Sequence, residues 1–361
     1  MSAMQHALAT GGTPVLRLVA WELTRSCNLA CRHCRAEAHE RPYPGECDTA
    51  AARALIDSFT ELGNPIIIFT GGEPLLRHDL FPLVEYAAGK GLHCALALNG
   101  TLVTAENAAR MKSAGVARCS VSIDGATEKA HDEFRGVPGA FAAAVRGIEH
   151  IKKAGLPFQI NTTVTRGNLA HFREIFSLAE GLGAAAWHIF LLVPMGRAAF
   201  MADQVISAAE YEEVLNWLYD FRKTTAMSLK ATCAPHYYRI MRQRAKEEGI
   251  AVTRESFGMD ALTRGCLGGA GFCFISHTGA AQPCGYLELD CGNVFATPFP
   301  EIWRTSKVFL QLRDQKAYGG KCGICEYHAV CGGCRARARS LTGDHMAEEP
   351  LCAHIPRGNR A

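Results

Sequence analysis

No run of about 18 apolar residues free of charge occurs in the chain, which excludes a membrane-spanning helix. Charge of one sign is also missing. The 38 Lys and Arg against 35 Asp and Glu leave a net +3 over 361 residues, too little to mark a binder of nucleic acid or of an acidic membrane. The opening MSAMQHALATGG has neither a basic start nor a long apolar core, so no secretory signal is expected and a cytoplasmic location is. Internal repeats and low-complexity tracts are absent too, which excludes a solenoid and a disordered tail.

What the chain has in quantity is cysteine, 16 residues of it. In a small secreted protein this would suggest disulfides. Here the chain is long and the cysteines cluster at both ends at ligand-like spacings, so metal or cluster ligation is the better reading. Cys47, Cys94 and Cys119 stand apart from those clusters and read as packing thiols.

The first 200 residues alternate between short apolar runs and amphipathic stretches. Strands are predicted at Val15–Leu23, Ile66–Phe69, Leu92–Leu98, Val116–Ile123, Pro157–Val164 and Ala185–Leu192. Helices are predicted near 48–62, 79–90, 104–114, 139–154 and 169–181, the first capped by Asp48 or Thr49. Such βα alternation implies a parallel sheet with right-handed crossovers. The expected fold is α/β, a six-stranded (β/α)6 partial barrel at residues 1–205. A helical bridge at 206–260 and a small cysteine-rich domain at 261–361 follow.

In a parallel sheet, ligands gather at the carboxyl ends of the strands. Four polar or glycine-rich segments fall there: Cys27–Cys34, Thr70–Pro74, Asn99-Gly100 and Asp124-Gly125. Cys27, Cys31 and Cys34 can meet at one point. Three thiolates hold three irons of a cubane [4Fe–4S] cluster and leave the fourth open, as a catalytic metal site requires. A zinc knuckle lacking one ligand is the plain alternative. In Gly71-Gly72-Glu73-Pro74 the glycines let a ligand approach the backbone, and Glu73 can accept a hydrogen bond from an ammonium. Taken alone, that segment reads equally as a strand-to-helix turn.

CNLACRHC followed one βα unit later by GGEP resembles the radical S-adenosylmethionine (SAM) enzymes. The resemblance implies that Cys27, Cys31 and Cys34 bind a [4Fe–4S] cluster whose open iron is chelated by SAM. Gly71, Gly72 and Glu73 would meet the methionyl amino group. One electron would cleave SAM to methionine and a 5′-deoxyadenosyl radical, which takes a hydrogen from the substrate. By the same resemblance Ser122 and Asp124 contact SAM, and Arg135 pairs its carboxylate. Asn99, Asn161 and Thr163 are candidate contacts facing the barrel interior, and His33 is a packing residue.

The far end carries Cys322-x2-Cys325-x5-Cys331-x2-Cys334, then Cys352, with Cys266 and Gly279-x4-Cys284 upstream. A zinc ribbon would use such pairs. The ensemble resembles the SPASM extension of radical SAM enzymes, which holds auxiliary [4Fe–4S] clusters. It implies one cluster on Cys322, Cys325, Cys331 and Cys352, and another on Cys266, Cys284 and Cys334. The last spacing is two residues where the family usually has three. The second site lacks an evident fourth ligand, with Cys233, Cys273 and Cys291 as candidates.

The segments Thr232–Tyr238, Ile189–Arg197 and Cys331–Ala338 resemble the tetrapyrrole branch of these enzymes. The activity implied is oxidative decarboxylation of two propionates of iron-coproporphyrin III to vinyl groups, giving heme b. Modification of a siroheme derivative or a heme d1 precursor, or of a peptide, is the alternative. An iron-tetrapyrrole substrate needs cationic anchors beside an apolar slot. Arg17, Arg25, Arg166 and Arg197 are candidates, and His188, His236 and Tyr237 could meet the macrocycle or its iron. A low-potential donor such as flavodoxin or ferredoxin is the implied redox partner.

Overall fold

A computed structural model describes residues 14–357. The opening segment MSAMQHALATGG, where no secretory signal is expected, lies outside them. All six expected strands form: β1 (Leu18–Glu22), β2 (Ile66–Thr70), β3 (Cys94–Leu98), β4 (Val116–Ser122), β5 (Phe158–Val164) and β6 (Ala186–Leu191). They lie parallel and side by side in chain order. Helical crossovers join them: α1 (Thr49–Thr60), α2 (Leu80–Gly89), α3 (Ala105–Ser113), the pair α4 (Glu128–Arg135) and α5 (Ala140–Lys153), then α6 (Phe172–Leu182). Asp48 is the residue that caps α1, its carboxylate accepting from the Ala51 N–H at 2.8 Å.

The α/β partial barrel runs further than its six expected strands. After α7 (Ala208–Phe221), β7 (Ser228–Thr232) adds a parallel strand beside β6. It lies in the stretch read as a helical bridge. Only Leu229 and Ala231 of its five residues are buried, so its apolar signal is faint. On the other side, β8 (Phe272–Ile275) pairs in parallel with β1, and β9 (Ala281–Gln282) folds back antiparallel on β8. The cysteine-rich segment thus supplies the strand next to the one that carries the first cysteine loop. Between β7 and β8 lies α8 (His236–Glu247).

One face of the sheet is apolar and covered by helices. Val19, Trp21, Ile67, Phe69, Leu96, Val121 and Ile160 share it and are almost wholly buried. Each such side chain contributes about 1.5–3 kcal/mol, and truncating Phe69 to Ala would cost about 3–5 kcal/mol. The opposite face carries small and polar residues, among them Ala95, Ala97, Ser120, Ser122, Asn161 and Thr163. Strand alternation puts them there, and the parallel register sets every loop that follows a strand on one rim. Cys94 and Cys119 are buried in the core, as packing thiols are expected to be.

Candidate metal centres

The loop after β1 brings Cys27, Cys31 and Cys34 together. It is tied down from outside: the Ala30 N–H bonds to the Arg135 carbonyl at 3.2 Å and the Arg32 N–H to that of Phe134 at 3.0 Å. His33 stacks on the Phe134 ring at 4.3 Å. The sulfurs are met by donors. Leu29 N–H points to Cys27 Sγ at 3.5 Å, Ala38 N–H to Cys34 Sγ at 3.4 Å, and Arg135 Nη1 to Cys31 Sγ at 3.7 Å. Donors aimed at sulfur stabilise thiolates or the sulfides of a cluster. The donor set therefore fits an iron–sulfur group.

The glycines of the next loop serve that one. A Cβ on Gly71 would stand 2.4 Å from the Thr24 carbonyl oxygen, and one on Gly72 2.2 Å from that of Ser26. Two hydrogen bonds of 2.8 Å, Gly72 N–H to Thr24 and Glu73 N–H to Ser26, join the segments. The close approach these glycines allow is thus to the cysteine loop's own backbone. Glu73 is fully buried and accepts from the N–H groups of Asn99 at 2.8 Å and Leu75 at 3.1 Å. Burial nevertheless pushes its carboxyl up to about 7. Among the described residues no cation pairs with it, so the site is electrostatically prepared for an amino group.

Asn99 donates to Asn28 at 2.8 Å and accepts from Thr101. Asp124 accepts from the Thr163 N–H at 2.6 Å and is paired with Arg135, whose Nε has no partner. Ser122 and Asn161 are register partners on the inner face, and Asn161 accepts from Gln159 at 2.9 Å. These candidates for SAM contacts thus stand on one rim and one face.

The substrate candidates disperse. Arg17 precedes β1, at the end of the strand opposite the cysteine loop. Arg166 is exposed and bonds the Val205 carbonyl. Arg197 is spent on the cysteine loop, donating to the carbonyls of Cys31 at 2.8 Å and Ala38 at 2.9 Å. Tyr237 is buried in the core with its ring edge-on to Tyr238. His188 is on the inner face beside Gln159 at 2.9 Å, and burial, with Lys230 and Arg118 nearby, drives its pKa down to about 3. Arg25 lines an open cavity of about 400 Å³ with Arg35, Ala36, Gly196, Ala199 and Phe200, and with Glu37 and Glu288. Arg35, directly after Cys34, went unremarked in the sequence. So did Glu22, buried at the end of β1, which binds Arg35 at 2.8 Å, His277 at 2.8 Å and Arg25 at 3.4 Å. Burial acts against ionisation there, but Arg35, His277 and Arg25 outweigh it and hold the carboxyl at about 2. Arg25 and Arg35 are near Glu22 in sequence, but His277 is 255 residues away and only the fold brings it to this carboxylate.

At the far end, Cys322, Cys325, Cys331 and Cys352 line one small cavity. Glu349 N–H points to Cys322 Sγ at 3.3 Å, Tyr327 N–H to Cys325 Sγ at 3.4 Å and Gly333 N–H to Cys331 Sγ at 3.5 Å. Four thiols with such donors fit a closed cluster site. His236 lines this cavity with both ring nitrogens unpartnered, so it stands at the auxiliary centre and not in the cavity at the first loop. The two-residue spacing before Cys334 is made workable by Gly332 (φ 76°) and Gly333 (φ 60°). Consecutive left-handed residues turn the chain sharply, so Cys334 leaves that cavity and joins Cys284 in a separate apolar cluster.

Residues 21–179 match the radical SAM superfamily and residues 266–335 an iron–sulfur cluster-binding domain, SPASM. The chain is 70% identical to the AdoMet-dependent heme synthase of Nitratidesulfovibrio vulgaris strain Hildenborough, over 96% of this chain and 94% of that one. It is 52% identical to the AdoMet-dependent heme synthase of Methanosarcina barkeri strain Fusaro, over 94% and 97%. The chain belongs to the radical SAM enzymes, in their SPASM-bearing tetrapyrrole branch. The fold is also that of Streptococcus suis SuiB bound to its precursor peptide SuiA, with a TM-score of 0.74 at 14% identity over 97% of this chain and 79% of that one. As a radical SAM enzyme it uses SAM with a [4Fe–4S] cluster, and its SPASM domain holds auxiliary iron–sulfur clusters. Among the described residues no helix is long and apolar enough to cross a membrane.

Proposed function

We propose that this chain decarboxylates two propionates of iron-coproporphyrin III to vinyl groups, giving heme b. The observation that carries the reading is the 70% identity to an AdoMet-dependent heme synthase across nearly the whole of both chains. The cavity beside the cysteine loop supports it, since it joins apolar Ala36, Ala199 and Phe200 to the guanidinium groups of Arg25 and Arg35. Phe200 is 88% exposed there, as befits a surface that awaits a flat apolar ligand.

Bound to Cys27, Cys31 and Cys34, the cluster with SAM supplies a 5′-deoxyadenosyl radical. The chain's own residues then position and protect. Glu73 and the Gly71-Gly72 backbone receive the methionyl amino group, and Arg135 the carboxylate. Asn99, Ser122, Asp124, Asn161 and Thr163 line the remaining contacts. Arg25 and Arg35, each paired with Glu22 through one nitrogen, turn their remaining guanidinium donors to substrate carboxylates. On the substrate, loss of a hydrogen atom from the propionate β-carbon leaves a carbon radical. Expulsion of CO2 and of one electron then gives the alkene. Cys322, Cys325, Cys331 and Cys352 would hold an auxiliary cluster that would supply an acceptor for that electron, and a flavodoxin or ferredoxin would be the donor that starts the cycle. In this reading residues 1–205 do the chemistry, 206–260 extend their sheet by β7 and lead on, and 261–361 add β8 and hold the auxiliary centres, in the cytoplasm.

Anaerobic incubation with SAM, a reductant and iron-coproporphyrin III tests this. Mass spectrometry is expected to show stepwise loss of two carboxyl groups with one deoxyadenosine per step. Deoxyadenosine with unchanged porphyrin would refute the substrate.

A further inference from the structure

The site of Cys266, Cys284 and Cys334 is one thiol short, and three cysteines compete to complete it. Two of them are committed elsewhere. Cys273 sits in the main core and directs its thiol to the carbonyls of Phe274 and Gln282, each at 3.4 Å. Cys291, in the same core, directs its own to the Leu289 carbonyl at 3.6 Å.

Cys233 is placed differently. It lies in the turn between β7 and α8, outside the matched SPASM span, and its backbone is left-handed at φ 56°. For a residue with a side chain such a conformation costs about 1–2 kcal/mol, so something must hold it. Arg337 does, donating to the Cys233 carbonyl at 2.8 Å. Arg337 is also paired with Glu349 at 3.3 Å, and neither side chain is exposed at all. Glu349 in turn accepts from the Cys334 N–H at 2.8 Å. One buried ion pair therefore fixes the backbones of Cys233 and Cys334 together. Both belong with Cys284 to an apolar cluster built on Val193, Leu287 and Leu312. Cys266 is stitched to the same region by its N–H to the Cys331 carbonyl at 3.2 Å.

We propose that Cys233 supplies the fourth thiolate of this site. Four thiolates leave no iron open, so this auxiliary centre transfers electrons and does not bind substrate. The inference rests on the C-terminal cysteines being cluster ligands and is independent of which tetrapyrrole is the substrate.

The test compares anaerobically reconstituted wild type with Cys233→Ala, Cys233→Ser and the control Cys273→Ala, by iron and sulfide content and by EPR. Wild type and C273A are expected to hold about twelve irons per chain, four per cubane. C233A and C233S are expected to drop to about eight, or to show the oxidised-state EPR signal of a three-iron cluster. Should C233A fail to fold, judged by circular dichroism, the nearly isosteric C233S decides. Full iron and an unchanged spectrum in C233S would overturn the proposal. So would about eight irons in the wild type, or iron loss confined to C273A. Porphyrin turnover does not enter these readouts, so a wrong substrate leaves them intact.

Discussion

Replacing Gly72 by Ala probes the contact that aligns the SAM side of the site with the cluster side. The new Cβ would stand 2.2 Å from the Ser26 carbonyl oxygen and 2.6 Å from that of Arg25, where ordinary contact is 3.4–4 Å. Both neighbours are backbone, so no side chain can swing away. The two segments must part by roughly 1 Å. That stretches the 2.8 Å bonds from Gly72 to Thr24 and from Glu73 to Ser26. Two hydrogen bonds at about 1 kcal/mol each and an overpacking cost of about 1–3 kcal/mol sum to about 3–5 kcal/mol. For a chain of this size the melting temperature should fall by roughly 4–7 °C. Because Cys27 follows Ser26 directly, the same shift moves a proposed cluster ligand relative to Glu73, and the rate of deoxyadenosine formation should drop at least about tenfold. Gly91→Ala is the control. Its backbone is left-handed at φ 78°, which that of Gly72 is not, but an added Cβ meets nothing within 4 Å, so the change carries only that backbone cost of about 1 kcal/mol and should keep its activity. Thermal melts and anaerobic SAM-cleavage assays on both variants decide. A G72A protein that melts within about 1 °C of wild type and cleaves SAM at the same rate would refute the reasoning.

Glu73 gives a pH test. Its carboxyl stands at about 7 against an ordinary 4.5, so above pH 4.5 the folded chain keeps a proton that the unfolded chain releases. Stability of the iron-free protein should therefore fall by about 3 kcal/mol as pH rises from 4.5 to 7, then level off. Urea melts of Glu73→Gln at pH 5 and 8 should lack that part of the slope, and an identical slope would count against the assignment. Arg337→Met should cost about 3–5 kcal/mol, because it strands the unexposed Glu349 without its partner. Adding Glu349→Leu should recover much of this in chemical denaturation, and no recovery would argue that the loss is in packing. Cys31→Ala should abolish deoxyadenosine formation, whereas Cys325→Ala should retain it and lose porphyrin turnover. Equal loss of deoxyadenosine in both would show that the clusters do not divide the work.

Periodicity and loop chemistry carried most of the barrel. The strands β2 to β6 are dense in Ile, Val, Phe and Leu and end in turn residues, so pattern alone located them. β7 was hidden because Lys230 and Ser228 dilute a five-residue strand. β8 was hidden because its partner, β1, lies some 250 residues away, and nothing local announces a parallel pairing of that range. Helix α4 was missed where Glu128–Arg135 holds mainly charged residues. At the site, thiol spacing marked the groups of cysteines that the fold gathers, while the glycines required the geometry before their backbone contacts emerged. The substrate arginines were least legible. Nothing in the residue type distinguishes Arg197, which holds the cysteine loop, from Arg25, which faces a cavity. His236 likewise needed the fold to show that it faces the auxiliary cysteines.

The pairing of β8 with β1 has a mechanical meaning. The strand that leads into the first cysteine loop and the strand that leads into the Cys284 hairpin are neighbours in one hydrogen-bonded sheet, in register from Leu18 opposite Phe272 to Trp21 opposite Ile275. Redox centres held as proposed at these two loops could not drift apart without breaking that ladder. The spacing between them is set as a bond network sets it, and not by a hinge. Electron passage from one to the other should then be insensitive to solvent viscosity, with no docking motion to slow it. The same ladder makes the auxiliary segment part of the barrel's folding, because removing it would bare an edge of the strand that presents Cys27.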